Sequence, residues 1–160
     1  MDTLKNLSYG QYIVTTVKPS EEMTTRDKDY IAAGTINWVT QTSFDPPIVA
    51  IAIDEKSDLQ ETIEKSRELT VHILGGGHEA MIDKFADDSE ITENQINGIP
   101  YTYDDNDQII LDSTLGYITC KVSESISSGD HTLYLCKVIN QKMMGEGEPL
   151  TTQSVGKQYV

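Results

Sequence analysis

Apolar and polar positions along this chain change over in short runs, and few of them keep a helical spacing. Residues 9–17 (YGQYIVTTV) are rich in β-branched and aromatic side chains and predict a first strand. The polar, charged stretch 18–29 predicts a loop. Residues 30–39 return to strand character, with Gly34 as a bulge or a point of close approach. Asp45-Pro46-Pro47 breaks that run, because neither proline has an N–H and each fixes its own φ. Residues 48–53 (IVAIAI) are apolar at successive positions and predict a central strand covered on both faces.

Ser57-Asp58-Leu59-Gln60 has the form of a capping box, and Leu59 and Ile63 stand four apart, so a short helix with one narrow apolar stripe follows. Residues 69–74 (LTVHIL) predict another strand. After Gly75-Gly76-Gly77, residues 78–86 predict a second amphipathic helix with Met81, Ile82, Phe85 and Ala86 on one face. Residues 87–94 are acidic and read as exposed; residues 101–111 predict short strands around the turn Asp104-Asp105-Asn106-Asp107. That acidic turn lacks the spacing of a calcium loop and reads as a solvated hairpin tip. Residues 117–126 and 131–140 predict a hairpin, and regular pairing about Ser128 would set Cys120 opposite Cys136. The pair is either a cross-strand disulfide or two small buried thiols, and a reducing compartment favours thiols. Six or seven strands with two connecting helices predict a mainly β fold, a barrel or sandwich with short helices rather than a doubly wound parallel sheet.

Composition narrows the classes. A chain of 160 residues is most simply one domain, 1–160. Its formal net charge of -14 opposes nucleic acid and anionic lipid as partners. The acidity serves solubility, salt adaptation or the steering of a basic redox partner. No apolar run reaches the roughly 18 residues of a membrane helix, no leader-like segment opens the chain, and a cytoplasmic location is expected. Two cysteines give no disulfide framework and no zinc spacing, so no metal site is expected.

The densest candidate chemistry lies in residues 33–47 (AGTINWVTQTSFDPP). Thr35, Asn37, Thr40, Thr42 and Ser43 could hydrogen-bond the sugar-like chain or phosphate of a planar ligand, with Trp38 lining its apolar edge. The same residues also read as a hydroxyl-rich strand with Trp38 in the core. The glycine triplet before a helix start suits a phosphate or serves as a flexible connector. Lys84 is a phosphate counter-charge or a solvated helix residue. His131 follows a tight turn and opens a strand, and His78 reads as a surface residue at a helix start.

Taken in order, Tyr9-Gly10-Gln11-Tyr12-Ile13-Val14, Ala33-Gly34-Thr35-Ile36-Asn37-Trp38, Ser43-Phe44-Asp45-Pro46-Pro47, Ile63-Glu64-Lys65-Ser66, Gly129-Asp130-His131-Thr132 and the segment 145–150 (GEGEPL) resemble the flavin reductase-like FMN-binding family. Flavoredoxins and the flavin domains fused to rubredoxin are the nearest in kind. The resemblance implies a split β-barrel of Greek-key topology that assembles as a homodimer with FMN, or FAD in its place, near the subunit interface. It implies NAD(P)H as hydride donor, with free flavin, ferric iron or a redox protein such as rubredoxin as acceptor. A non-enzymatic flavoredoxin-type electron carrier and a flavin-binding module are the alternatives. Carried over by residue, Thr35, Ile36, Asn37 and Trp38 would run along the isoalloxazine, with Thr40, Thr42 and Ser43 towards the ribityl-phosphate. Lys84 and Phe85 match a stretch that holds the phosphate end. His72 and Leu74 would stand beside the ring, although His72 replaces an asparagine common in the family. His131 is the candidate catalytic residue, by a hydrogen bond to flavin or by stabilising nicotinamide, not as a general base. Relatives with rubredoxin extend beyond the equivalent of Val160, so electrons are expected to pass to or from a separate molecule.

Overall fold

The computed structural model describes residues 2–18 and 30–156; the expected loop lies almost wholly outside them. Ten strands are described: β1 (Tyr12–Val17), β2 (Ile31–Ile36), β3 (Val39–Phe44), β4 (Pro47–Asp54), β5 (Glu68–Ile73), β6 (Gln95–Ile96), β7 (Ile99–Tyr103), β8 (Ile109–Leu111), β9 (Gly116–Ser128) and β10 (His131–Met143). The helices are α1 (Asp58–Ser66), α2 (Glu79–Lys84) and α3 (Thr152–Val155). Seven strands form one sheet in the order β2-β1-β5-β9-β10-β4-β3, antiparallel at each of its pairings. Its two edge strands, β2 and β3, are consecutive in the chain and joined by Asn37 and Trp38 alone. A sheet whose edges are tied by so short a link must curl into a barrel left open along one seam. Strand β5 returns to lie beside β1 rather than β4, which is the Greek-key connection.

Two cores share the barrel wall. Val14, Ile36, Ile51, Ile63, Val71 and Tyr134 pack inside it. Ile13, Leu74, Met81, Phe85, Ile109 and Leu111 pack outside, beneath α2 and the small sheet β6-β7-β8. Adjacent residues Ile13 and Val14 therefore enter opposite cores, the two-residue period of a strand covered on both faces. The excursion 75–115 provides the outer cover. Helix α1 plugs the barrel end through Leu59 and Ile63, both buried as their spacing predicts.

Several local expectations change. The run 30–39 is not one strand, since the chain turns at Asn37-Trp38 into β3. Asp45-Pro46 is a cis peptide in the turn between β3 and β4, so the prolines stand at a hairpin turn rather than at the end of the run 30–39. Gly34 sits in unbroken register opposite Val14, so it is no bulge; a Cβ there would meet Leu59 Cδ2 of α1 at 3.4 Å. Only half of the capping box forms: Ser57 Oγ accepts from Gln60 N, while the Gln60 side chain turns to Glu64. The long hairpin turns at Gly129-Asp130, with Ser128 opposite His131 and Gly129 at φ 63°. Together with register shifts along the arms, this pairs Cys120 with Val138 and Cys136 with Val122. The two cysteines are diagonal neighbours, both buried and both free. Burial pushes the Cys120 thiol up to about 12 and raises Cys136 as well. At the 104–107 tip, Asp104 Oδ1 accepts from the N–H groups of Asn106 and Gln108, the work of a turn residue.

Candidate functional site

A cleft of about 690 Å³ opens where β2, the turn from β4 into α1, and the segment after α2 converge. Gly34 and Thr35 form its floor, Asp54 and Lys56 one lip, and Phe85 and Ser89 the other. Its size falls within the roughly 300–1,000 Å³ of small-molecule sites. Edge strand β2 leads into it because the far side of β2 is the seam of the barrel.

The sequence candidates fall into three groups. Thr35, Ile36 and Phe85 line the cleft. Thr35 is itself engaged: its Oγ1 donates to Ile82 O (2.7 Å) and its N–H to Phe85 O (3.0 Å), which clamps the second lip onto β2. Ile36 is buried in the barrel core. Asn37 is fully buried, and its Nδ2 donates to Gly10 O (2.8 Å) and Gln11 Oε1 (2.7 Å). Trp38 closes the link, and its main-chain oxygen accepts from Ala52 N.

Trp38 and His131, distant in sequence, come together with ring centroids 4.7 Å apart. Tyr9 flanks Trp38 on another side at 6.2 Å. Strand pairing sets His131 opposite Asp54, which lines the cleft. Nδ1 of His131 lies 2.7 Å from Asp130 Oδ1; the carboxylate can only accept, so Nδ1 carries the proton. That bond holds the Asp130 carboxyl below its usual range. With the ring neutral, that tautomer makes Nε2 an acceptor. Among the described residues, buried Nε2 of His131 and Nε1–H of Trp38 have no partner. One orphaned acceptor and one orphaned donor thus stand on touching rings beside the cleft, each carrying an unmet desolvation cost of about 1–3 kcal/mol.

The remaining candidates lie apart from the cleft. Thr40, Thr42 and Ser43 are on β3, across the Asn37-Trp38 link, with Thr40 and Thr42 exposed. Leu74 is buried in the outer core. His72 is fully buried with both ring nitrogens engaged by the backbone. Lys84 is exposed at the end of α2. In the glycine triplet, Gly75 N donates to His78 Nδ1 and Gly77 N to Glu79 Oε2. Those amides already have acceptors, so the loop is no ready cradle for phosphate, and His78 is a loop brace as well as a helix-start residue.

Sequence reasoning passed over Asp54 and Lys56, and read Ser57 only as part of a capping box; Asp54 Oδ1 accepts from Lys56 N (2.8 Å), and Ser57 caps α1. Among the described residues, Lys56 is the one cation lining the cleft, against Asp54, Asp58, Asp87 and Asp88. Any anionic group entering the cleft is therefore directed towards Lys56. No helix among the described residues is long and apolar enough to cross a membrane.

A family model described as a flavin reductase like domain matches residues 4–157. The chain is 26% identical over 155 residues to a high molecular weight rubredoxin of Moorella thermoacetica, covering 94% of this chain and 64% of that protein. It is 27% identical over 151 residues to an NADH-dependent flavin reductase of Rhodococcus sp, covering 92% and 77%. The crystal structure of a flavin reductase domain protein from Arthrobacter sp. FB24 superposes with a TM-score of 0.78 at 19% identity, covering 94% of this chain and 86% of that one. The chain thus spans less than two thirds of the rubredoxin-named relative.

Proposed function

The chain belongs to the flavin reductase-like domain family, and from that premise we propose that it is a flavin-dependent oxidoreductase taking electrons from NAD(P)H and passing them to free flavin, ferric iron or a redox protein. FMN is the proposed resident cofactor, with FAD as the alternative. When bound, the flavin supplies the hydride and electron chemistry, and the protein positions it and tunes its surroundings.

The observation that carries this reading is the orphaned pair on Trp38 and His131. A donor beside an acceptor, next to a cleft of ligand size, suits the alternating polar edge of a flavin ring. In this reading the β2 segment around Gly34 supports the ring, and Trp38 covers it and excludes water. Asp130 keeps the proton of His131 on Nδ1, so that Nε2 faces the site as an acceptor. Lys56 meets the anionic tail, with Lys84 beyond the lip as a second cation. Thr40, Thr42 and Ser43 lie on β3 across the Asn37-Trp38 link and take no part in this reading.

Homodimerisation is part of the proposal. Phe44 is 89% exposed, and Ile139 and Met143 are more than half exposed, the kind of apolar surface that marks contact sites. Residues 1–160 act as one domain in this reading, supported by the extent of the family match and by two cores that share β1. We place the protein in the cytoplasm, where free thiols such as Cys120 and Cys136 persist.

Purified protein loaded with FMN and mixed anaerobically with NADH or NADPH is expected to lose its absorbance near about 450 nm, the usual flavin band. Absence of bleaching with both nucleotides overturns the reductase reading. The likeness to a rubredoxin-named protein favours one second reading, an electron carrier that ignores nicotinamide. Rapid reduction by a rubredoxin with no response to either nucleotide would select it. Light scattering of the same sample should give the mass of two chains, and a monomer at micromolar concentration removes the dimer from the proposal.

A further inference from the structure

His72 is the only imidazole among the described residues with no solvent exposure, and it sits at the seam between the two cores. Its Nδ1 lies 3.0 Å from Ile13 O; a carbonyl only accepts, so Nδ1–H donates. Its Nε2 accepts from Leu111 N–H at 3.1 Å. The neutral ring therefore bridges β1 in the barrel wall to β8 in the excursion. The same excursion carries Phe85 and Ser89, the second lip of the cleft. A proton on Nε2 would set a donor against the Leu111 donor.

We propose that His72 is a positioning residue for the cofactor cleft, a latch that holds the excursion and its Phe85–Ser89 lip on the barrel while neutral and lets go when protonated. The proposal rests on the flavin reading for the cofactor's identity but not for the latch. Burial is the largest influence on the ring and pushes it down to about 4; the carbonyls of Ile13 and Ile109 favour the charged form and are outweighed. No carboxylate or cation contributes to that shift. The titratable neighbours on the flanking elements are Tyr12 beside Ile13 on β1, Tyr117 opposite His72 on β9, Glu68 at the start of β5 and exposed Asp112 after β8. Thr35 holds the lip independently, so release begins at β8.

The sign follows from linkage. The opened segment takes a proton near the ordinary 6.5 and the closed one only near 4, so closure weakens as pH falls through that window and is fully strong above it. Between pH 7 and pH 5 the opening equilibrium should rise about 20-fold. Hydrogen–deuterium exchange of the FMN-free protein, corrected for intrinsic rates, reads this directly at the Leu111 amide and across β8. His72→Gln places an acceptor near the Nε2 position and His72→Asn keeps a donor near Nδ1, and neither titrates. Both variants are expected to show flat corrected exchange over the same range. If a variant does not fold, ¹⁵N shifts of the wild-type imidazole decide the matter, since the latch requires a neutral Nδ1–H ring down to about pH 5. Release of FMN from the loaded wild type should quicken by a similar factor and stay constant in the variants. Exchange that does not change with pH in the wild type overturns the latch. Changing exchange with unchanged FMN release removes its link to the cleft. A protein that never binds FMN sinks the functional reading instead, and the exchange result still decides the latch.

Discussion

Asn37→Asp is expected to abolish stable folding, at a cost of at least about 4 kcal/mol, because it buries a charge among acceptors. The side chain has no exposed surface, and its Nδ2 faces the Gly10 carbonyl and the Gln11 carboxamide oxygen. A carboxylate of the same shape sets oxygen against both. Asn37→Ala should cost less, about 2–3 kcal/mol, since it strands two acceptors without adding charge. Domains of this size have only about 5–15 kcal/mol of stability, so the two variants should separate clearly in urea unfolding. The position matters because Asn37 and Trp38 are the whole connection between the edges of the curled sheet. An aspartate variant within about 1 kcal/mol of the parent would contradict the geometry of this link.

Trp38→Ala is expected to weaken FMN binding by about 100-fold, equivalent to roughly 2.7 kcal/mol. The ring supplies the orphaned donor and packs against His131 and Tyr9, so its removal costs both a polar contact and an apolar cover. Ser43→Ala provides the contrast. Ser43 lies on β3 beyond the link and does not line the cleft, so its loss should change affinity by less than about threefold. Flavin fluorescence titration measures both, with near-ultraviolet dichroism as the control for folding. Strong loss at Ser43 with retention at Trp38 would move the ring to the outer face of β3 and empty the cleft of its role.

Much of the barrel was readable because its strands carry local signals. The β-branched and aromatic run of β1, the apolar run of β4 and the Leu59–Ile63 stripe of α1 are each such a signal. The Asn37-Trp38 turn was not readable, because a lone asparagine before a tryptophan, inside a β-branched run, is a weak turn signal; what bends the chain there is a buried amide bonded to Gly10 and Gln11, a long-range contact. Cys120 and Cys136 were placed opposite each other by counting from Ser128, and the count failed because the hairpin turns at Gly129-Asp130 instead, with a bulge beyond Leu135 shifting the register once more without leaving a composition signal. The proximity of Trp38 and His131 depends on barrel closure, so no spacing could announce it. Lys56 was hidden for another reason. Its segment already had a sufficient explanation as a helix start, and one sequence signature served two purposes.

The two cysteines have a practical corollary. Both thiols are sealed inside the barrel, held in the unreactive protonated form, and set on adjoining strands of the longest hairpin. An alkylating reagent can reach them only when the inner core opens, whereas fraying of the excursion, which covers the outer core, leaves them buried. Their modification rate is thus a natural stopwatch for rupture of the barrel itself, and it needs no engineered probe.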